Sequence, residues 1–173
     1  IQVIPMKPGN MGPSLEGKIV DGAFIWEPFT SQYELRGDSN VIFDMNKAVP
    51  QYPWYIIMAM PDALKNKKSA VKKVLQGHKR AVEYLNSSPT AGNEIIAKTF
   101  KLEAVKNTKT GKMITPIEIV KRARTRLGWE WDLTKKDTDF IQKLMTYSYE
   151  LGYIRKKLKV DDILDLSYVK SLR

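Results

Sequence analysis

The sequence predicts an α/β fold in which short, mostly parallel strands in the first third precede a helix-rich segment. Up to residue 60, nearly continuous apolar runs alternate with helix-start signals, a pattern typical of buried parallel strands. After Pro61 the apolar residues recur at helical spacing instead. The chain has 173 residues, 43% hydrophobic and 28% charged, which excludes a disordered protein and is enough to bury a core.

Four apolar runs are predicted as strands, at residues 1–6, 19–25, 41–43 and 55–59. Between the second and third runs, Pro28 stands at a first helical position and Gly37 closes a helix that runs to about Leu35. Asn10 is expected to cap a short helix through Leu15. The front third is therefore predicted to alternate strands with short helices.

Capping signals predict helices after Pro61, and no further strand is predicted there. Thr115-Pro-Ile-Glu118 is a full capping box, and Thr134-Lys-Lys-Asp137 is a weaker one that starts a helix ending before Gly152. Ser88-Pro89 begins another helix, with Ile95, Ile96 and Phe100 expected to be buried. Residues 106–112 are predicted to form a polar loop.

The formal net charge of +10 is unevenly distributed and raises nucleic acid or an anionic membrane as partners. Up to Leu64, four Lys and Arg stand against seven Asp and Glu, a net charge of −3. The remainder carries +13. The basic runs at 65–73, 121–126 and 155–159 are predicted to be mostly solvated helix faces; the alternative is a patch facing an anionic membrane or a transporter.

The residue inventory excludes several kinds of site. The chain has no cysteine, which excludes disulfides, thiolate metal sites and a cysteine nucleophile. With one histidine, His78, a zinc site or a Ser/His/Asp triad has little to build on. His78 lies in the apolar stripe of a predicted helix and is expected to be a core or boundary side chain. No run approaches the roughly 20 apolar residues needed to span a bilayer.

A series of short motifs occupies the front third of the chain. They are Val3-Ile-Pro-Met6, Asn10-Met11, Leu15-Glu-Gly17, Val20-Asp-Gly-Ala-Phe24 and Trp26-Glu-Pro-Phe29. Downstream, Glu83-Tyr-Leu-Asn-Ser-Ser-Pro89 ends a helix and Asp162-Ile-Leu-Asp165 opens the tail. Together these motifs resemble the nitrate/sulfonate/taurine-type ABC transporter substrate-binding proteins. Gly22 stands where that family commonly has Ala.

The resemblance implies a type II periplasmic-binding-protein-like fold of two α/β lobes, of which this chain is a C-terminal portion with further chain upstream. Residues 1–48 would end the second lobe, 49–60 would form the return hinge and a strand, and 61–173 the helical part of the first lobe and the tail. It implies an extracytoplasmic, membrane-associated component of an ABC importer that works with a membrane permease. It implies neither catalysis, nor a cofactor or metal, nor a nucleic-acid partner.

The implied ligand is a small solute in an interlobe cleft: a sulfonate, taurine, nitrate, bicarbonate or a pyrimidine-like molecule. Ligands of open α/β sheets lie beyond the carboxyl ends of strands, near helix N-termini. Two stretches fit that rule, residues 6–11 and 26–28, while Tyr52 and Trp54 lie at the expected hinge or pack at a lobe junction. The candidate ligand-binding residues are Asn10, Met11, Trp26, Glu27, Pro28, Tyr52 and Trp54.

Glu27 allows a sharper prediction with two alternatives. If its carboxylate faces the cleft, it repels nitrate and favours a ligand with an amine or ring N–H, such as an aminosulfonate or a pyrimidine. In the other interpretation Glu27 caps its own helix, where a carboxylate favours the helix dipole. Trp26 has the corresponding alternative of core packing.

Two other functions compete with solute binding. A nucleic-acid-binding protein would concentrate its basic residues on one helix or interleave them with exposed aromatic side chains, whereas here they are spread over several helices. A pyrimidine-precursor synthase-like enzyme on the same fold would need a cofactor lysine or a reactive histidine in the cleft. His78, on a predicted packed face, does not meet that need.

Overall fold

The computed structural model describes residues 1–50 and 52–173. The helices in these residues are α1 (Pro8–Glu16), α2 (Phe29–Arg36), α3 (Met45–Ala48), α4 (Pro61–Asn66), α5 (Lys68–Ser87), α6 (Pro89–Thr99), α7 (Pro116–Ala123), α8 (Lys135–Glu150) and α9 (Ser167–Lys170). Strand β1 (Val105–Lys106) pairs antiparallel with β2 (Met113–Ile114), and a 3-10 turn spans Val160–Asp162. Among the described helices, none is both long enough and apolar enough to cross a bilayer.

The chain divides into two compact units, each assembled from two separate stretches. The first unit comprises Ile1–Asp44 and Ser88–Gly128, and the second comprises Met45–Ser87 and Trp129–Arg173. The division expected from the resemblance, at residues 48 and 60, follows chain order and stays a prediction. Its hinge range includes Gln51, which lies outside the described residues.

The four segments predicted as strands are not paired strands in the structure. Residues 1–6, 19–25, 41–43 and 55–59 have no ladder partner in the described part of the chain, and side chains such as Val3 and Met58 are 85% exposed. A strand exists only where a neighbouring strand accepts its backbone hydrogen bonds, and β-favouring residues cannot supply that neighbour themselves. The unpaired segments correct the strand predictions alone, and the two-lobe α/β fold stays a prediction.

The prediction that no strand follows Pro61 was wrong at one place. The polar stretch from residue 107 to 112 is a loop as predicted, but β1 and β2 flank it as a short hairpin. Asn107 organises this loop, because its Oδ1 accepts hydrogen bonds from the backbone N–H groups of Lys109 and Thr110 at 3.0 and 2.8 Å. Two-residue strands carry too little periodicity to be recognised in a sequence.

The predicted helix ends are largely confirmed. Thr115 and Thr134 form reciprocal capping boxes with Glu118 and Asp137 at the starts of α7 and α8. Gly37 adopts the left-handed conformation that ends α2, with a φ of 89°. Two starts differ from the prediction, because Pro28 is the N-cap of α2 rather than its first residue, and Asn10 lies within α1.

The core of the first unit lies where α7 packs against α2 and α6. Ile119, Val120 and Ala123 of α7 are fully buried. On α6 the buried side is made of small residues, including Gly92 and Ala97, whereas Ile95 is 50% exposed. The prediction that Ile95 and Phe100 are buried was therefore wrong. Ile96, one turn after Gly92, is partly buried, whereas Ile95 points about 100° away from it.

Glycine allows α1 to approach α2 closely. Gly12 is buried, and a Cβ at this position would coincide with the ring of Tyr33 on α2. No other residue fits this contact without displacing the tyrosine. Gly12 therefore fixes α1 next to α2 at Tyr33.

The second unit is organised around the 20-residue helix α5. Lys79 of α5 donates a hydrogen bond to the Leu172 carbonyl at 2.8 Å, and its ammonium lies 4.5 Å from the centre of the Trp131 ring. His78 is exposed, so the prediction of a core or boundary position was wrong. Leu172 and Trp131 contact the side of α5 that carries Lys79. Because consecutive residues of a helix point about 100° apart, His78 lies on another side of α5 and is exposed.

Candidate functional site

The segment Trp26-Glu-Pro-Phe29 leads an extended stretch of chain into α2. The peptide bond between Glu27 and Pro28 is cis, and the Pro28 side chain is fully buried. The hydroxyl of Thr30 donates to the Ile25 carbonyl at 3.0 Å, and the Thr30 N–H donates to the Trp26 carbonyl at 3.3 Å. The backbone on both sides of Trp26 is thus bound to the first turn of α2.

The Glu27 carboxylate is engaged inside the first unit. Its Oε2 accepts a hydrogen bond from the Ser31 backbone N–H at 3.0 Å, so Glu27 caps its own helix as one of the two interpretations predicted. Its Oε1 accepts from the Arg126 guanidinium at 2.7 Å. The exposed fractions of these two side chains are only 7% for Glu27 and 12% for Arg126.

Arg126 extends this contact into a network of two carboxylates and two guanidinium groups. Its second nitrogen donates to Glu34 at 2.6 Å, and Arg122 donates to both oxygens of Glu34 at 2.9 and 2.6 Å. We call Glu27, Glu34, Arg122 and Arg126 the charge quartet. Its formal charges cancel, which is the condition for holding ionised groups away from water.

The charge quartet shifts the pKa values of Glu34 and Arg126. The hydrogen bond from Arg122, followed by that from Arg126, lowers the pKa of Glu34 although burial acts in the opposite sense. Burial acts to lower the pKa of Arg126, but the hydrogen bonds that its guanidinium donates to Glu27 and Glu34 outweigh it and the pKa is raised. The arrangement of the quartet is that of a structural clamp between α2 and the segment that ends α7.

With Glu27 and Pro28 directed inward, Trp26 is the residue of this segment that reaches solvent. Its exposed fraction is 37%. Asn10 is exposed and Met11 is half-buried on α1, which packs next to α2 through Gly12. In the first unit the candidate side chains with a free surface are therefore Trp26, Asn10 and Met11.

Tyr52 and Trp54 belong to the second unit and form an aromatic cluster there. Their ring centres are 4.7 Å apart with the planes tilted by 46°, and Tyr52 meets Phe140 of α8 edge-on at 6.0 Å. The exposed fractions are 37% for Tyr52 and 46% for Trp54. The cluster thus combines packing onto α8 with an aromatic surface open to solvent.

Sequence reasoning missed the partners of Glu27. Arg122 and Arg126 are four residues apart and Glu27 and Glu34 are seven apart, so each pair has the spacing of residues on one side of a helical path. Acidic and basic residues at matching helical spacing were the available signal for a helix-to-helix ion pair. That signal does not identify which helix is the partner, and Glu27 and Arg126 are 99 residues apart in the chain.

An open cavity of about 630 Å³ lies elsewhere in the first unit, beside the β1–β2 hairpin. It is lined by Arg36, Ala104, Val105, Lys106, Asn107, Thr108 and Gly111. Arg36 is already paired with Glu16 and Asp38. None of the candidate ligand residues lines this cavity. In the described residues, no group of three or more Asp, Glu or His side chains is placed to hold a metal ion.

Comparison of this chain with protein-family models, with curated proteins and with solved structures finds no match.

Proposed function

We propose that this chain is the solute-binding component of an ABC importer, which holds a small molecule outside the cell and passes it unchanged to a membrane permease. The observation that carries the proposal is the segment Trp26-Glu-Pro-Phe29. Its sequence resembles the corresponding motif of the nitrate/sulfonate/taurine-type binding proteins, and its contacts suit the presentation of an aromatic side chain.

The contacts around Trp26 support this role because they fix the backbone and leave the ring accessible. Glu27 is bound by Arg126, Pro28 is buried, and the Trp26 carbonyl is bound by Thr30. A ring presented from an ordered backbone loses little conformational entropy when a ligand packs on it, so more of the contact energy appears as affinity.

The same contacts narrow the class of solute. The charge of Glu27 is balanced by Arg126, which removes the reason to expect selection of an amine by that carboxylate. An indole face instead favours a ligand with an apolar or aromatic surface to bury. Among the expected solutes we therefore favour a pyrimidine-like molecule or an alkanesulfonate over nitrate and bicarbonate.

In this proposal Trp26, Asn10 and Met11 of the first unit contact the solute. Glu27 and Pro28 support Trp26 and do not touch the solute. The protein needs no cofactor and performs no chemical step.

The test is a thermal-shift titration with taurine, alkanesulfonates, nitrate, bicarbonate and thiamine-type pyrimidines. A ligand that binds only the folded state adds about 2.7 kcal/mol of stability at a hundred times its Kd. We expect a shift with one class of solute, loss of that shift in Trp26→Ala, and recovery of the solute unchanged. Phe43→Ala removes another exposed aromatic side chain of the first unit and should keep the shift.

Three outcomes would overturn the proposal. The first is that no solute of the panel shifts the transition. The second is an equal shift in Trp26→Ala and Phe43→Ala, which would place the solute elsewhere. The third is consumption of the solute during incubation, which would favour an enzyme on this fold.

A further inference from the structure

We propose that the second unit carries a docking patch for an anionic phospholipid membrane, at the C-terminal end of α8 and the segment that follows it. This proposal does not depend on the solute or on Trp26. The patch comprises Lys143, Tyr147, Leu151, Tyr153, Arg155, Lys156, Lys157 and Lys159, and we call it the α8 patch.

The apolar part of the α8 patch is exposed. Leu151 is 71% exposed, Tyr153 is 82% exposed and Tyr147 is 48% exposed. Leu151 lies one turn after Tyr147, since its N–H donates to the Tyr147 carbonyl at 2.9 Å. Lys143 lies one turn before Tyr147, with its ammonium 5.6 Å from the centre of the tyrosine ring. These three side chains therefore form one stripe along the helix.

The chain then turns back along α8. Gly152 adopts a left-handed conformation with a φ of 77°, and the N–H groups of Tyr153 and Ile154 donate to the Ser148 carbonyl at 2.8 and 3.2 Å. The Gln142 side chain binds the returning segment at both of its polar ends, to the Leu158 carbonyl at 3.1 Å and the Val160 N–H at 2.7 Å. Gln142 precedes Lys143, so the returning segment lies against the side of α8 that is about 100° round the helix from the Lys143–Leu151 stripe.

This return presents the cations in a fixed place. Residues 151–160 contain four basic side chains and no acidic one. Ile154 and Leu158 are partly buried, whereas Arg155, Lys156 and Lys157 between them are exposed. Within residues 1–50 and 52–173, none of the ion pairs involves Arg155, Lys156, Lys157 or Lys159. The acidic neighbours Glu150, Asp161 and Asp162 lie before and after this run.

Charge complementarity and the kind of apolar residue together identify the occupant. Each Lys or Arg near an anionic membrane surface strengthens binding by about fivefold. Tyrosine is enriched at the membrane–water interface, where its ring and its hydroxyl both find a suitable environment. An exposed leucine among the cations gains free energy by entering the acyl boundary but gains little from phosphates and bases. We therefore assign the α8 patch to a lipid surface rather than to nucleic acid.

The test measures co-sedimentation of the chain with vesicles of phosphatidylcholine and with vesicles of phosphatidylcholine mixed with phosphatidylglycerol. We expect binding to the mixed vesicles alone, weakened by salt. The double variant Lys156→Gln/Lys157→Gln should bind about 25-fold more weakly, at about fivefold per charge. Its matched control, Lys72→Gln/Lys73→Gln, removes two exposed charges from α5 of the same unit and should bind within about twofold of the unchanged chain.

The leucine separates the two kinds of polyanion. We expect Leu151→Ser to weaken vesicle binding and to leave any binding of a short duplex DNA unchanged. Equal weakening by the two double variants would overturn the proposal, because the net charge alone would then explain the binding. Absence of binding to the anionic vesicles would overturn it as well. DNA binding as tight as vesicle binding, with no effect of Leu151→Ser on either, would favour nucleic acid instead.

Discussion

Two regions of the molecule are rich in apolar side chains but differ in burial. One is the α2–α7 contact of the first unit, and the other is segment 52–60 of the second unit. In the contact, Ser31, Ile119, Val120 and Ala123 are fully buried. In the segment, Tyr55 is 84% exposed, and no described residue of 54–60 is buried. The segment is the more apolar of the two. Hydrophobicity therefore does not decide burial here; the presence of a packed partner does.

The accessible surface area of the chain shows the same difference between packed and exposed regions. The accessible surface is 12823 Å². Two independent compact units that each have half of the mass would together expose about 10,400 Å². The large apolar side chains of residues 1–4, 42–43 and 55–60 are exposed, whereas Ile119, Val120 and Ala123 in the α2–α6–α7 region are fully buried. We expect stability to depend on the packed region and to be insensitive to the extended runs.

The largest loss of stability is expected from Arg126→Ala. This change leaves Glu27 in a buried position without its partner and removes one of the two guanidinium groups that bind Glu34. Breaking a buried pair from one side costs about 3–5 kcal/mol of unfolding free energy. Urea unfolding followed by circular dichroism measures it. Lys121→Ala removes an exposed charge from α7 and should cost less than about 0.5 kcal/mol.

A double-mutant cycle with Glu27→Gln checks the mechanism of that loss. If the penalty arises from an uncompensated carboxylate, Arg126→Ala combined with Glu27→Gln should cost less than the sum of the single changes. An additive result would show that Arg126 acts through packing alone and would weaken the contrast between the two regions.

The most direct comparison replaces isoleucine by alanine once in each region. Ile119→Ala leaves a cavity under a fully buried side chain and should cost about 2–5 kcal/mol. Ile57→Ala lies in the extended segment with 50% exposure and should change stability by less than about 0.5 kcal/mol. Hydrogen exchange of α7 and of residues 52–60 reads the two regions separately. A large cost for Ile57→Ala would mean that the segment is covered in solution.

A smaller loss is expected where α1 meets α2. Gly12→Ala places a methyl group where the Tyr33 ring lies, and such overpacking costs about 1–3 kcal/mol. Gly9→Ala is the matched change in the same helix, with nothing within 4 Å of the new Cβ. Because alanine favours helix over glycine, Gly9→Ala should be neutral or stabilise by up to about 1 kcal/mol. Opposite signs would confirm that the Tyr33 contact decides the effect.

These contrasts also show which structural features could be predicted from the sequence. The capping boxes at Thr115 and Thr134 and the helix ends at Gly37 and Gly152 were predictable, because each depends on residues within one turn. Whether residues 19–25 and 55–59 pair as strands was not predictable, because pairing depends on neighbours that residue type does not specify. Likewise, the sequence indicated two alternatives for Glu27 but gave no means to find Arg126.

For the candidate site, the sequence singled out Trp26, Glu27 and Pro28 as one motif. The contacts divide that motif into an exposed ring and two residues that support it, which side-chain type alone does not reveal. Tyr52 and Trp54 were predicted as hinge or site residues, and the packing of Tyr52 on Phe140 depends on a helix more than eighty residues later. Local chemistry was therefore predictable and long-range pairing was not.

The smallest effect is expected at the N-terminus of α7, and it carries a pH signature. Glu118 accepts a hydrogen bond from the Thr115 backbone N–H at 2.7 Å and another from Lys112 at 2.9 Å, which lowers its pKa to about 2. A carboxyl whose pKa is lowered on folding stabilises the protein above its ordinary value of 4.5, and this contribution disappears as the pH falls towards 2. Thr115→Ala removes the cap hydroxyl and should cost about 1 kcal/mol at neutral pH.

Glu118→Gln isolates the pH signature. Because glutamine does not titrate, this variant should lose less stability than the unchanged chain between pH 4.5 and 2, and the two unfolding curves should converge as Glu118 becomes protonated. Parallel curves for Glu118→Gln and the unchanged chain would mean that the capping box is open in solution, and the packed region would then begin within α7 rather than at its first residue.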